Sequence, residues 1–457
     1  VTLGELCRQD RDRQLAWLED YLRIPSISSS PEHAEEVRRC GRFSVSEMER
    51  IGLEHGQLLE TGGHPVAYAD WLHAPNAPTV LVYGHYDVQP VDPLDLWDSP
   101  PFDPRIRDRD LYARGAVDDK GQVLMHWAAI EALLKLHGRL PLNLKLLIEG
   151  EEEIGSPHLD AFIQERLDLL RADVAVISDT AMYGHGIPSL CYGLRGLTYL
   201  QIDVHGPNSD LHSGSFGGAV ANPCNALAAL LSRLKDDAGR ILIPGFYDDV
   251  RPLSAAERTE LAKLPFDEVA YRTAIGVDEL VGEPDCTPLE RLWARPTLDV
   301  NGIWGGFQGA GAKTIIPAEA HAKVSCRLVP DQDPERIARL VEDYVRAITP
   351  AGVRVEVRQL HGGRPSITPI DHPATLAAKR ALERAFEKEV VFMREGGSIP
   401  VVATFDSLLH VPTVLLGVGL PDEHAHAPNE RLNLDNFYRG ILAVAYLWQE
   451  LASSPIA

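Results

Sequence analysis

Long apolar runs are missing from this 457-residue chain, and no stretch approaches the ~18 residues that a membrane span needs. Basic residues are also scarce. Lys and Arg number 44 against 66 Asp and Glu, a formal charge of −22 spread along the chain. That balance argues against nucleic acid or an anionic membrane as a partner, since either needs a basic face. Cysteine is sparse, and none of Cys7, Cys40, Cys191, Cys224, Cys286 and Cys326 stands in a C-x-x-C pair. Isolated thiols of this kind indicate a reducing compartment rather than a disulfide framework. Val1 to Arg13 is polar and charged, without the pattern of a signal peptide, so the expected location is the cytoplasm. There is no G-x-S-x-G elbow, no phosphate-cradling P-loop and no dinucleotide fingerprint. Internal repeats and low-complexity segments are absent as well.

The composition itself is that of a globular protein, 45% apolar and 24% charged, with enough length for more than one core. Short apolar runs at Thr79–Val82, Asn143–Ile148, Val174–Ile177 and Thr413–Leu416 read as buried strands. They alternate with helical patterns, among them Gly121–His137, Pro373–Phe386 and a terminal helix from Leu434. Ser156-Pro157 reads as a further helix start. Alternation of this kind predicts an α/β domain with a mixed, largely parallel sheet flanked by helices. Between Gly193 and about Pro369 the order changes to β-α-β-β-α-β, a split βαβ or ferredoxin-like α+β domain. The chain therefore divides into 1–193 and 369–457, forming one catalytic α/β domain, and an inserted domain over 194–368. Asp236–Arg295, charged and rich in proline, has no clear assignment.

The residues that carry chemistry stand just past the predicted strands. Gly84-His85-Tyr86-Asp87 follows the first, where open α/β sheets place their ligands. Asp87 is close enough in sequence to accept a hydrogen bond from the imidazole and fix its tautomer. Asp118-Asp119-Lys-Gly121 precedes a helix, Glu149-Gly-Glu151-Glu152-Glu153 follows a strand, and Asp179 ends another. His424-Ala-His426-Ala-Pro-Asn-Glu430 lies in the loop after Thr413–Leu416. Each cluster has an ordinary reading too: a polar turn, a helix cap, a solvated acidic loop. Together they supply imidazoles and carboxylates enough for two cations about 3.5–4 Å apart with one carboxylate between them. That donor set fits two Zn²⁺ best, with Mn²⁺ or Co²⁺ as alternatives. A glutamate left over would serve as general base.

These motifs, Gly-His85-Tyr-Asp87-Val-Gln-Pro, Asp118-Asp119-Lys-Gly, Glu-Gly-Glu-Glu152-Glu153-Ile-Gly-Ser and His426, resemble the M20 metallopeptidase family, and within it the carnosinase-like dipeptidases. The resemblance runs over nearly the whole chain. It implies one metal held by His85 and Asp179, a second by Glu153 and His426, and Asp118 bridging them across a cis Asp118–Asp119 peptide. It makes Glu152 the general base and acid, with Asp87 supporting His85. In the inserted domain, Asn208-Ser-Asp-Leu-His212-Ser-Gly214 is similar to the family's lid loop, whose histidine serves the partner subunit of a homodimer and binds the oxyanion. Arg327 then becomes the clamp for a free substrate carboxylate, and Thr314, Gly397 and Ser398 match further substrate-binding positions. The expected activity is hydrolysis of dipeptides or similar short substrates. An N-acyl amino-acid deacylase or carbamoylase using the same site is the alternative. A non-catalytic peptide-binding relative and a dinuclear phosphoesterase are the more distant ones.

Overall fold

The computed structural model describes residues 1–397 and 399–456. It forms two compact units: Val1–Tyr192 with Thr368–Met393 and Pro400–Ala457, and Gly193–Ile367 with Arg394–Ile399. Arg394–Ile399 joins the second unit, although the sequence pattern assigns it to the first. Among the contacts that hold it there, Arg394 pairs with Glu257, and Arg195 N–H donates to the Glu395 carbonyl. None of the helices among the described residues is long and apolar enough to cross a membrane.

The first unit is built on a mixed sheet. Its middle strands, Asn143–Glu149, Thr79–His85, Val174–Ile177 and Thr413–Leu415, run parallel in that order. Their residues are buried almost without exception, which requires cover on both faces and explains why they read as continuous apolar runs. Val66–Trp71 and Glu54–Leu59 extend one side antiparallel, and Ser189–Leu194 pairs antiparallel on the other. Glu54–Leu59 has no buried residue, so an edge strand with no apolar signature left no mark in the sequence. The Lys120–His137 helix is buried at every position from Lys120 to Leu133 and stops at Gly138, which takes a left-handed φ of 66°. It packs against the terminal helix Leu434–Ala452, which Asn433 caps by accepting from Asn436 N–H at 3.1 Å. Ser156 is not a helix cap. The helix begins at Leu159, because Gly155 and Ser156 both take positive φ and reverse the chain after a tight turn over Glu152–Ile154.

The second unit is a four-stranded antiparallel sheet in the order Thr297–Gly305, Glu319–Leu328, Gly196–His205, Arg354–Gly363. The helices Pro223–Leu231 and Pro334–Ala347, capped by Asn222 and Asp333, cover one face. Leu200, Ile202, Val204, Val324, Cys326 and Leu328 form the core beneath them. The alternation of buried and half-buried residues along Glu319–Leu328 leaves the other face open. The 236–295 segment supplies three short helices, Ala255–Ala262, Glu268–Ile275 and Pro288–Trp293. Two of them start at capping boxes, Ser254 with Glu257 and Thr287 with Glu290. Both S/T-x-x-E signatures are legible in the sequence and would have located these helices.

Candidate active site

Four parallel strands end side by side, and their carboxyl ends bring together groups that lie far apart in sequence. His85 is the last residue of its strand, and its imidazole is fully buried. Its Nε2 lies 3.1 Å from Asp118 Oδ1 and 3.8 Å from Asp179 Oδ2. On the other side, His426 Nε2 lies 2.8 Å from Asp118 Oδ2 and 3.1 Å from Glu153 Oε2. Asp118 thus turns one oxygen toward each imidazole. Glu152 joins the His85 and Asp179 side, its carboxylate within 4.8 Å of both ligand atoms. The Asp118–Asp119 peptide is cis.

Spacings of this kind suit cations. A tetrahedral site with bonds of about 2.0–2.2 Å has edges of roughly 3.3–3.6 Å; three of the four nitrogen–oxygen distances fall below that range, at 2.8–3.1 Å, and one above it, at 3.8 Å. Neither Asp118 nor Asp119 serves as a helix cap. Asp119 makes no capping bond to the following helix, and its Oδ2 instead accepts from His85 N–H at 3.3 Å. The crowded glutamates divide into two kinds. Glu149 is held by the Tyr83 hydroxyl at 2.5 Å, and Glu151 by His158 at 2.8 Å and His64 N–H at 3.0 Å. Glu152 and Glu153 face the cluster. Burial pushes the Glu152 carboxyl up to about 7, the range a general base needs. Hydrogen bonds to Asp118 and Glu153 raise the His426 imidazole to about 10. Against its burial, the two histidines hold Asp118 well below the usual carboxylate range.

Asp87 lies beside His85 and supports the site in a second way as well. The nearest Asp87 oxygen to His85 Nδ1 is its main-chain carbonyl at 3.0 Å, with the carboxylate at 3.5 Å. That carboxylate accepts from Glu152 N–H at 3.2 Å and Glu153 N–H at 3.1 Å, so Asp87 ties the His85 strand to the glutamate turn. Two further supports went unread in the sequence. Gln89 donates to Glu153 Oε2 at 2.8 Å. Glu430, fully buried, accepts from Gly115, Val117 and Asp118 N–H at 3.0–3.1 Å and from Arg114 at 2.7 Å. Both lie inside the motifs, but a tie spanning more than 300 residues has no local pattern.

The second unit carries the remaining candidates. Leu211–His212 pairs with Ile315–Ile316 in a two-stranded ribbon, and Ser213 N–H donates to the Thr314 carbonyl at 3.0 Å. His212 and Thr314 are therefore neighbours, both exposed. Arg327 is half-buried on the open face of the larger sheet. Gly397 is exposed, and Ser398 lies outside the described residues.

The model for peptidase family M20/M25/M40 matches residues 81–450. A Cys-Gly metallodipeptidase of Schizosaccharomyces pombe is 36% identical over 467 residues, covering 99% of this chain and 98% of its own. The human Beta-Ala-His dipeptidase is 33% identical, over 97% and 90% of the two chains. Among solved structures, an M20 family metallo-carboxypeptidase of Sulfolobus solfataricus superposes with a TM-score of 0.82 at 34% identity, over 96% of this chain and 99% of that one. With the family model spanning most of its length and relatives at this identity matching end to end, the chain belongs to the M20/M25/M40 peptidase family.

Proposed function

We propose that this protein is a di-metal dipeptidase, cleaving the amide bond of dipeptides or similar short substrates that carry a free C-terminal carboxylate. The observation that carries this reading is Asp118, with one oxygen toward His85 and the other toward His426, and with the Glu152 carboxylate beside the first imidazole. In this reading His85 and Asp179 would hold one divalent cation, Glu153 and His426 the other, with Asp118 available to both. Zn²⁺ is the expected ion for such imidazole and carboxylate donors. Bound there, the two ions would supply Lewis-acid polarisation of the scissile carbonyl and acidify the attacking water.

The chain's own residues do the rest. Glu152 takes one proton from the water as its oxygen bonds to the carbonyl carbon and delivers it to the amine nitrogen as the C–N bond breaks; the water's second proton leaves the new carboxyl group, so the products are a carboxylate and an ammonium. Asp87 fixes the turn that aims Glu152. His212, with Nδ1 accepting from Gly214 N–H at 3.1 Å, keeps Nε2 free to donate to an oxyanion. Its exposed ribbon, shared with Thr314, suits a role in the site of a partner subunit, and we assign the second unit as the homodimer surface. Arg327 clamps the substrate carboxylate, with Gly397 as a further substrate-binding position. The dipeptidase activities for which the two relatives are named support this substrate class. The six cysteines, all free, support a cytoplasmic setting.

The test is a matched set of substrates offered to metal-loaded enzyme: a free dipeptide, its N-acetyl form and its C-terminal amide. Cleavage of the free dipeptide in preference to both others is the expected result. Preference for the N-acetyl compound would place the enzyme among the deacylases.

A further inference from the structure

The second unit brings two arginines onto neighbouring backbone positions. Arg327 sits opposite Leu197 in the antiparallel register of Glu319–Leu328 with Gly196–His205. Arg195 lies two residues before Leu197, on the same side of the alternating chain, which makes it the diagonal neighbour of Arg327 at about 7–8 Å between backbones. The Arg195 Nε–H donates to the Gly396 carbonyl at 3.3 Å, and its backbone N–H donates to Glu395. Gly396 is held so close that a Cβ there would stand 2.7 Å from Arg195 Nη2. Three stretches remote in sequence, around residues 195, 327 and 396, meet here within one unit.

Neither guanidinium has a carboxylate partner among the described residues. Cations farther along the same open face do: Arg358 reaches Asp203 at 3.0 Å and His321 reaches it at 2.6 Å. Asp299, two residues along the neighbouring strand from Thr297 opposite Arg327, acts on Arg195 only at a distance. Burial, and then the charge of Arg327, push Arg195 down to about 10. Two half-buried like charges without a direct salt bridge, and with Asp299 acting only at a distance, are unfavourable alone and favourable once an anion enters, and the paired forks of arginine match a carboxylate.

We propose that Arg195 is a second member of the carboxylate clamp, so that the substrate's C-terminal carboxylate is gripped by Arg195 and Arg327 together while the Gly396 carbonyl holds Arg195 in place. This rests on the dipeptidase reading and extends it to a residue whose side chain that reading leaves unused. The experiment compares a free dipeptide with its C-terminal amide in full-length, metal-loaded wild type, R195M, R195K and R327M, with thermal melts alongside. R195M is expected to lower the acid-over-amide preference at least tenfold, mainly through KM for the acid. R195K is expected to recover part of it, since the charge returns without the fork. If R195M weakens acid and amide by one common factor, Arg195 only props the Gly396 segment and the proposal falls. An unchanged preference also overturns it and leaves Arg327 as sole clamp. Should R195M fail to melt cooperatively, R195K decides, with wild-type preference counting against the clamp. A wild type that favours neither the acid nor the free dipeptide sinks the dipeptidase reading itself; intact wild-type preference with an insensitive Arg195 sinks only this extension.

Discussion

Glu152 and Glu153 are adjacent in the chain and face one cluster, yet they carry different expectations. Replacing Glu152 with Ala removes the proposed proton shuttle while leaving the groups around His426 untouched. Turnover is expected to fall by about 10²–10⁴ with the metal content retained, measured by elemental analysis of the purified variant. Loss of metal together with activity would identify Glu152 as a ligand instead. His126 gives a separate test at the same scale. It is buried against Trp448, with Nε2 2.7 Å from the Ser178 hydroxyl, and burial alone lowers its imidazole to about 3. The unfolded chain, with histidine near 6.5, binds a proton that the folded chain refuses between those values. The His126 contribution is therefore fully present above pH 6.5 and lost as pH falls toward 3, at up to about 1.4 kcal/mol per pH unit. Denaturant midpoints of wild type and H126F should converge as pH drops from 7 to 5; parallel curves would mean that His126 protonates in the fold.

At the level of elements, the Asp118 loop is clamped between a helix start and a buried ion pair. Gly121 opens the Lys120–His137 helix so close to the loop that a Cβ would lie 2.0 Å from the Ala116 carbonyl oxygen. Backbone on one side cannot yield as a side chain would. G121A is expected to destabilise the protein by about 1–3 kcal/mol and to weaken metal binding, because Asp118 must shift with the loop. Arg114 and Glu430, each 1% exposed, pair at 2.7 Å. R114M leaves Glu430 as an uncompensated buried charge and should cost about 3–5 kcal/mol in a denaturant melt. A near-neutral outcome would show that the backbone N–H groups alone satisfy Glu430. The motif residues here were legible because strand-end histidines and paired acids stand out in any sequence. The clamp was not, since it joins Gly115–Asp118 to a carboxylate that arrives from the far end of the chain.

For the whole molecule, two consequences follow from the proposed roles. Removing divalent ions with a chelator should lower the melting temperature and abolish activity, and restoring the metal should reverse both. A ligand at a hundred times its dissociation constant contributes about 2.7 kcal/mol per site. A melt indifferent to chelation would count against the cation reading. If His212 serves its partner's site, mixing inactive E152A and H212A subunits should regain part of the wild-type rate, since some mixed dimers contain one complete site. No recovery, with subunit exchange demonstrated, would confine His212 to its own chain.

The sequence by itself determined the elements whose signals are local. Apolar runs marked the four parallel strands, helical patterns marked Gly121–His137 and Pro373–Phe386, and His85, Asp118, Glu152, Glu153, Asp179 and His426 stood at strand ends or in the loops that follow. Parallel strands carry their loops at one edge, so those residues had to gather there once the sheet formed. Only the tertiary structure decided which oxygen of Asp118 faces which imidazole, which glutamates are structural, and that the Asp87 carboxylate aims the Glu152–Glu153 turn. It also decided that Arg195 stands beside Arg327. Such contacts depend on strand register and on chain segments brought together across hundreds of residues, and neither leaves a periodicity or a spacing for the linear sequence to display.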